Sequence, residues 1–193
     1  MHFVFLTRCT RPENLPKVKQ SVRDVFSTSL HTYHHVLIPD VSESNFEPFN
    51  NAVTDVFYAS HKESNDAYMT KQMDDVLSSI PETDGYVYVL DDDNELHPSF
   101  LSVAAFCDSD AVVFKTVGHP EWGVQQKKHG KYIGRIDWCN YVTKLSVMRE
   151  LKIFVPGMDS HDSDGRFFER MIAAGCSVRF VDRELAFYNH LSN

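Results

Sequence analysis

Three consecutive carboxylates and an amide, Asp91-Asp92-Asp93-Asn94, follow directly on the apolar run Tyr86-Val87-Tyr88-Val89-Leu90. Adjacent carboxylates repel one another, so grouping them is costly unless a cation or a set of hydrogen-bond donors offsets the charge. A hard divalent cation is the simplest occupant. Mg2+ or Mn2+ prefers carboxylate and phosphate oxygens and takes one or two protein carboxylates together with ligand phosphate. The competing reading is a solvated acidic turn. If the apolar run is a strand, its side chains alternate faces, and Asp91 and Asp93 emerge on the same side where it ends.

A strand end of this kind needs a sheet around it, and the rest of the chain supplies one. Phe3 to Leu6 reads as a first strand, followed by a turn-forming stretch from Thr7 to Pro16. A helix follows, with Leu15, Val18, Val22, Val25 and Phe26 on one stripe. A second strand, His35 to Ile38, ends at Pro39-Asp40, and a polar segment from Val41 to Asn51 reads as a loop. A short strand at Val56 to Ala59 precedes a helix in which Met69, Met73, Val76, Leu77 and Ile80 recur at helical spacing. After the acidic cluster come a helix from Pro98 and a strand at Ala111 to Phe114, so residues 1–115 alternate as β-α-β units. The remainder is less regular. It has a loop from Val117 to Gly134, a strand near Asn140 to Thr143, a helix from Gly165 to Ala174 closed by Gly175, and strands at Val178 to Val181 and Leu185 to Tyr188. The expected fold class is α/β, with a mixed, mostly parallel sheet flanked by helices in a single domain.

In open α/β sheets ligands bind at the carboxyl ends of the strands, where Thr7, Arg8, Asp40 and Asp91 to Asn94 all fall. The chain has neither GxGxxG nor GxxxxGK[ST], so a pyrophosphate would need some other holder. With 193 residues, 42% hydrophobic and 12% aromatic, the chain is of a size for one well-buried domain. Its net charge of -8 argues against nonspecific nucleic-acid binding, which needs a basic surface to displace counterions. Cys9, Cys107, Cys139 and Cys176 show no CxxC spacing, which removes the usual zinc or thioredoxin-type signal and leaves reduced, structural thiols. There is no signal-peptide pattern and no run near the ~20 apolar residues of a membrane span, so a cytoplasmic location is expected.

The order and spacing of several pieces resemble the nucleotide-sugar glycosyltransferases of the GT-A (Rossmann-like) fold, especially family 2. The resemblance spans most of the chain. It begins at Phe3-Val4-Phe5-Leu6-Thr7-Arg8 with Arg11-Pro12-Glu13-Asn14-Leu15 and continues through Val89 to Asn94, which is similar to the DXD motif. Gly134-Arg135-Ile136-Asp137-Trp138, Ser163 to Gly175, and Asn189-His190 complete it. The resemblance implies one glycosyltransferase domain over 1–193, with a nucleotide-sugar half at 1–115 and an acceptor and catalytic half at 116–193.

Residue by residue, it implies that Asp93 ligates Mn2+ or Mg2+ on the donor phosphates while Asp91 contacts ribose or a metal-bound water, or the metal itself. Asp92 stands beside them. Asp40 resembles the carboxylate that reads the base of a UDP-sugar donor, although an Asp after Pro is also a common turn residue. Thr7 and Arg8 would line the nucleotide pocket, and a surface ion pair is the alternative for Arg8. Asp164 would be the general base that deprotonates the hydroxyl of a glycan or other acceptor in an inverting transfer, with helix capping as the alternative and Asp159 and Asp162 as backups. His190 would add an imidazole to the metal. Asp137 and Trp138 could wall a sugar site, or Trp138 could be core. Basic residues of the 117–134 loop, Lys127, Lys128 and Lys131, could meet diphosphate or simply be solvated.

Three other readings compete. A haloacid-dehalogenase-type phosphatase carries DxD on its first strand with Thr or Ser after it, whereas here the motif is mid-chain and followed by Asn94-Glu95. A sugar-1-phosphate nucleotidyltransferase needs a Gly-rich loop that is missing. A non-catalytic carbohydrate-binding protein of the same fold is disfavoured by the coexistence of Asp93, Asp164 and His190. Donor sugar, acceptor and oligomeric state are not encoded in any motif.

Overall fold

The computed structural model describes residues 1–39, 65–104, 108–118, 136–156 and 163–191. Alternation of apolar side chains builds a seven-stranded sheet. Its strands are β1 (His2–Cys9), β2 (Thr32–Pro39), β3 (Tyr86–Val89), β4 (Glu95–Leu96), β5 (Ala111–Val117), β6 (Tyr141–Lys144) and β7 (Val178–Phe187). They are ordered β2-β1-β3-β6-β5-β7-β4. β1 pairs in parallel with β2 and β3, and β5 with β7, and these ladders hold most of the paired residues. Antiparallel pairings join β6 to β3 and β5, and β4 to β7. The expected mixed α/β fold is therefore present, with its change of strand direction at β3 and β6.

Period-2 burial on both faces explains why the central strands are almost wholly apolar. Phe3, Phe5, Tyr86, Tyr88, Val112 and Phe114 share one face with Val18, Val22 and Phe26 of α1 (Leu15–Phe26) and with Phe100. Val4, Leu6, Val36, Ile38, Val87 and Val89 share the other. That second face is covered by Met73, Val76 and Leu77 of α2 (Asn65–Ser79), by Leu145 and Met148 of α4 (Leu145–Leu151), and by Phe167, Phe168 and Met171 of α5 (Ser163–Ala173). A four-residue helix, α3, spans Leu101–Ala104. Truncating a fully buried aromatic such as Phe5 would cost about 3–5 kcal/mol by cavity formation.

Several elements differ from the sequence reading, among them β2, which starts at Thr32, and β5, which runs to Val117. β1 runs on to Cys9, because Thr7, Arg8 and Cys9 pair with Leu37, Ile38 and Pro39, so the turn begins later than Thr7. The two terminal strands are one, β7, whose pairing with β5 shifts register twice; the polar residues Asp182 and Arg183 lie in the first shift, between Val181 and Glu184. α4 and the two-residue β4 were not anticipated; both are shorter than the windows in which periodicity can be read. The expected strand at 56–59 and the loops at 41–51 and 119–134 lie outside the described residues. Cys9, Cys139 and Cys176 are free thiols.

Candidate active site

β1 and β3 are parallel neighbours, so their carboxyl ends deliver Arg8, Thr10 and Arg11 beside Asp91, Asp92 and Asp93. The ladder continues one bond past β3, from Leu90 N–H to Leu6 O at 2.9 Å. The chain then turns, with Asn94 N–H donating to Asp91 O at 3.1 Å. Strand alternation therefore stops at Leu90, and all three carboxylates face one cavity instead of Asp91 and Asp93 alone. That cavity measures about 320 Å³. A second part of its wall is formed by Asp137, Trp138, Ser163 and Asp164, and Tyr188 and Asn189, just past the end of β7, line it as well.

On the first wall each carboxylate has a basic partner. Arg8 grips Asp91 in bidentate fashion, Nε to Oδ1 at 2.7 Å and Nη2 to Oδ2 at 2.6 Å, a geometry that makes a strong, directional pair. Asp92 Oδ2 accepts from Thr10 N–H at 2.6 Å, from the Thr10 hydroxyl at 3.1 Å and from Arg11 N–H. Arg11 also donates from Nε to Asp92 Oδ1 at 3.2 Å and from Nη2 to Asp93 Oδ2 at 2.8 Å. Burial raises the Asp92 carboxyl above its ordinary value, and these bonds from Arg11 and Thr10 oppose the rise. Behind the turn, Asn189 N–H donates to Asn94 Oδ1 at 2.8 Å and Leu191 N–H to Asp93 O at 3.0 Å, tying the end of β7 to the acidic turn.

The second wall is different. Asp137 caps a short 3-10 turn, Trp138–Asn140, reciprocally: its carboxylate accepts from Cys139 N–H at 3.4 Å, and its own N–H donates to Asn140 Oδ1 at 3.0 Å. Asp164 lies in the first turn of α5, where Oδ1 accepts from Gly165 N–H at 2.6 Å. Among the described residues no cationic side chain bonds to either carboxylate. Burial, helped by Asp91, pushes Asp137 up to about 6. Burial, helped by Asp137, pushes Asp164 up to about 7. Being at a helix amino terminus lowers a carboxylate's basicity, yet here desolvation and the neighbouring charge outweigh it. A carboxylate with a value near neutrality has the basicity a general base needs.

Arg8, Asp91, Asp92, Asp93, Asp137, Trp138 and Asp164 are thus brought together, whereas Thr7 and His190 are not. Thr7 is wholly buried, and its hydroxyl lies 2.8 Å from His35 Nε2 inside the sheet. The His190 side chain is 59% exposed, with Nε2 3.4 Å from Glu95 Oε2 and the ring against Phe187. In this arrangement the imidazole is turned to Glu95 rather than to Asp93. Trp138 is only 1% exposed and packs between Tyr141 and Phe167, so it serves as floor and core rather than as an open stacking face. Asp40, Asp159 and Asp162 lie outside the described residues. Sequence reasoning missed Arg11 and Thr10 as partners of the acidic turn. The available signal was charge balance: three carboxylates at one strand end call for basic groups on the neighbouring strand end.

A divalent cation fits the donor chemistry of the cavity. Five carboxyl groups face two guanidinium groups there, and the excess negative charge contributes to the raised values of Asp137 and Asp164. Arg8 holds both oxygens of Asp91, and Arg11 donates to Oδ2 of Asp93, so a cation would have to share these carboxylates with the guanidinium groups.

The sequence matches no protein-family model and no curated protein sequence. Solved structures match the fold. S. aureus TarS, residues 1–349, superposes with a TM-score of 0.65 at 15% identity over 97% of this chain, and its complex with UDP-GlcNAc with 0.64 at 14% identity. A variant of Drosophila beta1,4-galactosyltransferase 7 in complex with manganese, UDP-Gal and xylobiose superposes with 0.52 at 11% identity over 93% of this chain. The matched region is 60%, 58% and 64% of those chains respectively. This chain therefore has the mixed α/β fold of these glycosyltransferases and spans about three fifths of their length.

Proposed function

We propose that this protein is a metal-dependent glycosyltransferase that moves a sugar from a nucleoside diphosphate donor, a UDP-sugar by preference, to an acceptor hydroxyl with inversion. The observation that carries this reading is the pairing, in one cavity, of a cation-clamped acidic turn with a buried carboxyl raised to about 7. The fold neighbours, crystallised with UDP-GlcNAc or with manganese and UDP-Gal, support the donor class.

Asp93 would hold Mn2+ or Mg2+, joined by Asp91 when Arg8 releases it and by His190 if its ring exchanges Glu95 for the metal. The ion would neutralise the diphosphate as it leaves. Arg8 and Arg11, whose charges already stand at the cavity wall, would orient the same phosphates by charge-assisted hydrogen bonds. Asp164 would accept the acceptor's hydroxyl proton as that oxygen bonds to the anomeric carbon and the bond from that carbon to the phosphate oxygen breaks. Asp137 would keep Asp164 basic by like-charge repulsion and accept a hydroxyl hydrogen bond from the sugar. Asp40 would read the base.

Calorimetry of UDP binding with and without Mn2+ tests the proposal. Binding should require the metal and should weaken sharply in Asp93→Asn. Equal affinity in EDTA would remove the metal from the reading and leave diphosphate neutralisation to Arg8 and Arg11.

A further inference from the structure

A second constellation lies at the other end of β1. His2 is in register with Thr32 on β2, so His34 is its diagonal neighbour on the same sheet face, a separation that long side chains can bridge. Glu82, in the loop between α2 and β3, reaches the same place. One ligand atom from each of the three lies within 4.8 Å of the others. Among the described residues, five buried side-chain polar atoms have no hydrogen-bond partner, and three of them are His2 Nε2, His34 Nδ1 and Glu82 Oε2. His34 Nδ1 and Glu82 Oε2 face each other as an ion pair at 3.6 Å, but none of the three atoms has a hydrogen bond, and buried polar groups are almost always satisfied, so a shared partner would complete all three.

The surroundings hold the three in place. His2 Nδ1 is 2.8 Å from Thr32 Oγ1, which leaves Nε2 as the nitrogen available to a ligand, the arrangement usual for metal-binding histidines. Arg149 donates to the carbonyls of Leu77, Ile80 and Glu82, fixing the loop that carries the carboxylate. Gly85 lets this loop approach β1, since a Cβ there would stand 2.5 Å from His2 O. His34 Nδ1 and Glu82 Oε2 are already 3.6 Å apart, against roughly 3.3 Å between ligand atoms about a tetrahedral ion.

We propose that His2, His34 and Glu82 bind a transition-metal ion of the Zn2+ class, with water completing the coordination, and that the ion staples the start of β1 to β2 and to the α2–β3 loop. Two imidazoles and one carboxylate suit Zn2+ rather than Mg2+, which favours all-oxygen sets. The site is roughly 20 Å from Arg8 by strand rise, so it is separate from the acidic cavity and does not depend on the transferase reading.

The test is titration of the metal-free full chain with Zn2+ by calorimetry, with Co2+ as a spectroscopic probe. One tight site is expected, weakened roughly 100-fold in His34→Ala and at least about 10-fold in Glu82→Gln, and unchanged in Asp93→Asn. Co2+ should give visible bands without the near-ultraviolet band of a thiolate ligand. Unchanged Zn2+ affinity in His34→Ala, a Co2+ thiolate band, or loss of the tight site in Asp93→Asn would each overturn the assignment. If His34→Ala does not fold, Glu82→Gln decides alone, and full affinity in that variant rejects the site.

Discussion

The two walls of the acidic cavity hold the same functional group in different settings. On the wall formed by β1 and β3, Asp91, Asp92 and Asp93 are engaged by Arg8 and Arg11, and Asp92 by backbone N–H groups as well. On the wall formed by the Trp138–Asn140 turn and α5, Asp137 and Asp164 are buried, near each other's charge, and without a bonded cation among the described residues. Hydrogen bonds from cations and backbone N–H groups oppose the effect of burial, as at Asp92, whereas a desolvated carboxylate without them gains proton affinity, as at Asp137 and Asp164. In the proposed transfer the first wall would hold the charged donor, with the cation, and the second would take up the proton.

The sharpest way to break this comparison is Asp164→Asn. The substitution keeps the shape of the side chain while removing the proton acceptor, so UDP and metal affinity should persist while transfer falls by roughly 10² to 10⁴-fold. The glycoside product, examined by NMR, should have the anomeric configuration opposite to the donor's. Near-wild-type transfer would return Asp164 to a structural role, and retained configuration would discard single displacement.

On the other wall, Asp92→Ala should act chiefly on stability. It leaves Thr10 N–H, Arg11 N–H and one guanidinium edge without their acceptor, which should cost about 2–4 kcal/mol in urea unfolding. A loss below ~0.5 kcal/mol would mean that this wall is no more than a solvated acidic turn.

The smallest expected effect sharpens the contrast through pH. Asp164 has a folded value of about 7, above the ordinary carboxyl value of 3.8, so the native state binds the proton more tightly than the unfolded state. Its stabilising contribution is present below about pH 4 and is lost as pH rises through about 7. Asp164→Asn should therefore be more stable than the wild type at pH 8 by about 1–3 kcal/mol, with the difference narrowing on acidification. Turnover by the wild type should rise over the same interval as the base ionises. A mutant advantage that does not change with pH would show that Asp164 does not carry a raised value.

The amino-acid sequence determined which segments are buried. Apolar alternation in Phe3 to Leu6, Tyr86 to Leu90 and Ala111 to Phe114 forces strands with two covered faces, and the stripes of α1 and α2 supply the covers. It also marked Asp91 to Asp93, because clustered charge at the end of an apolar run is legible as chemistry before any fold is known, whereas Asp164 is singled out by the family resemblance alone. Local pattern could not show that Arg11, some eighty residues away in the chain, meets Asp92 and Asp93, since that contact exists only because β1 and β3 are parallel neighbours. Nor could it show that Trp138 turns into the core, that His190 turns to Glu95, or that His2, His34 and Glu82 converge. Charge and hydropathy are properties of single residues and short windows. Partner choice and desolvation depend on what long-range packing sets beside a group and how much water it excludes, which the tertiary structure alone decides.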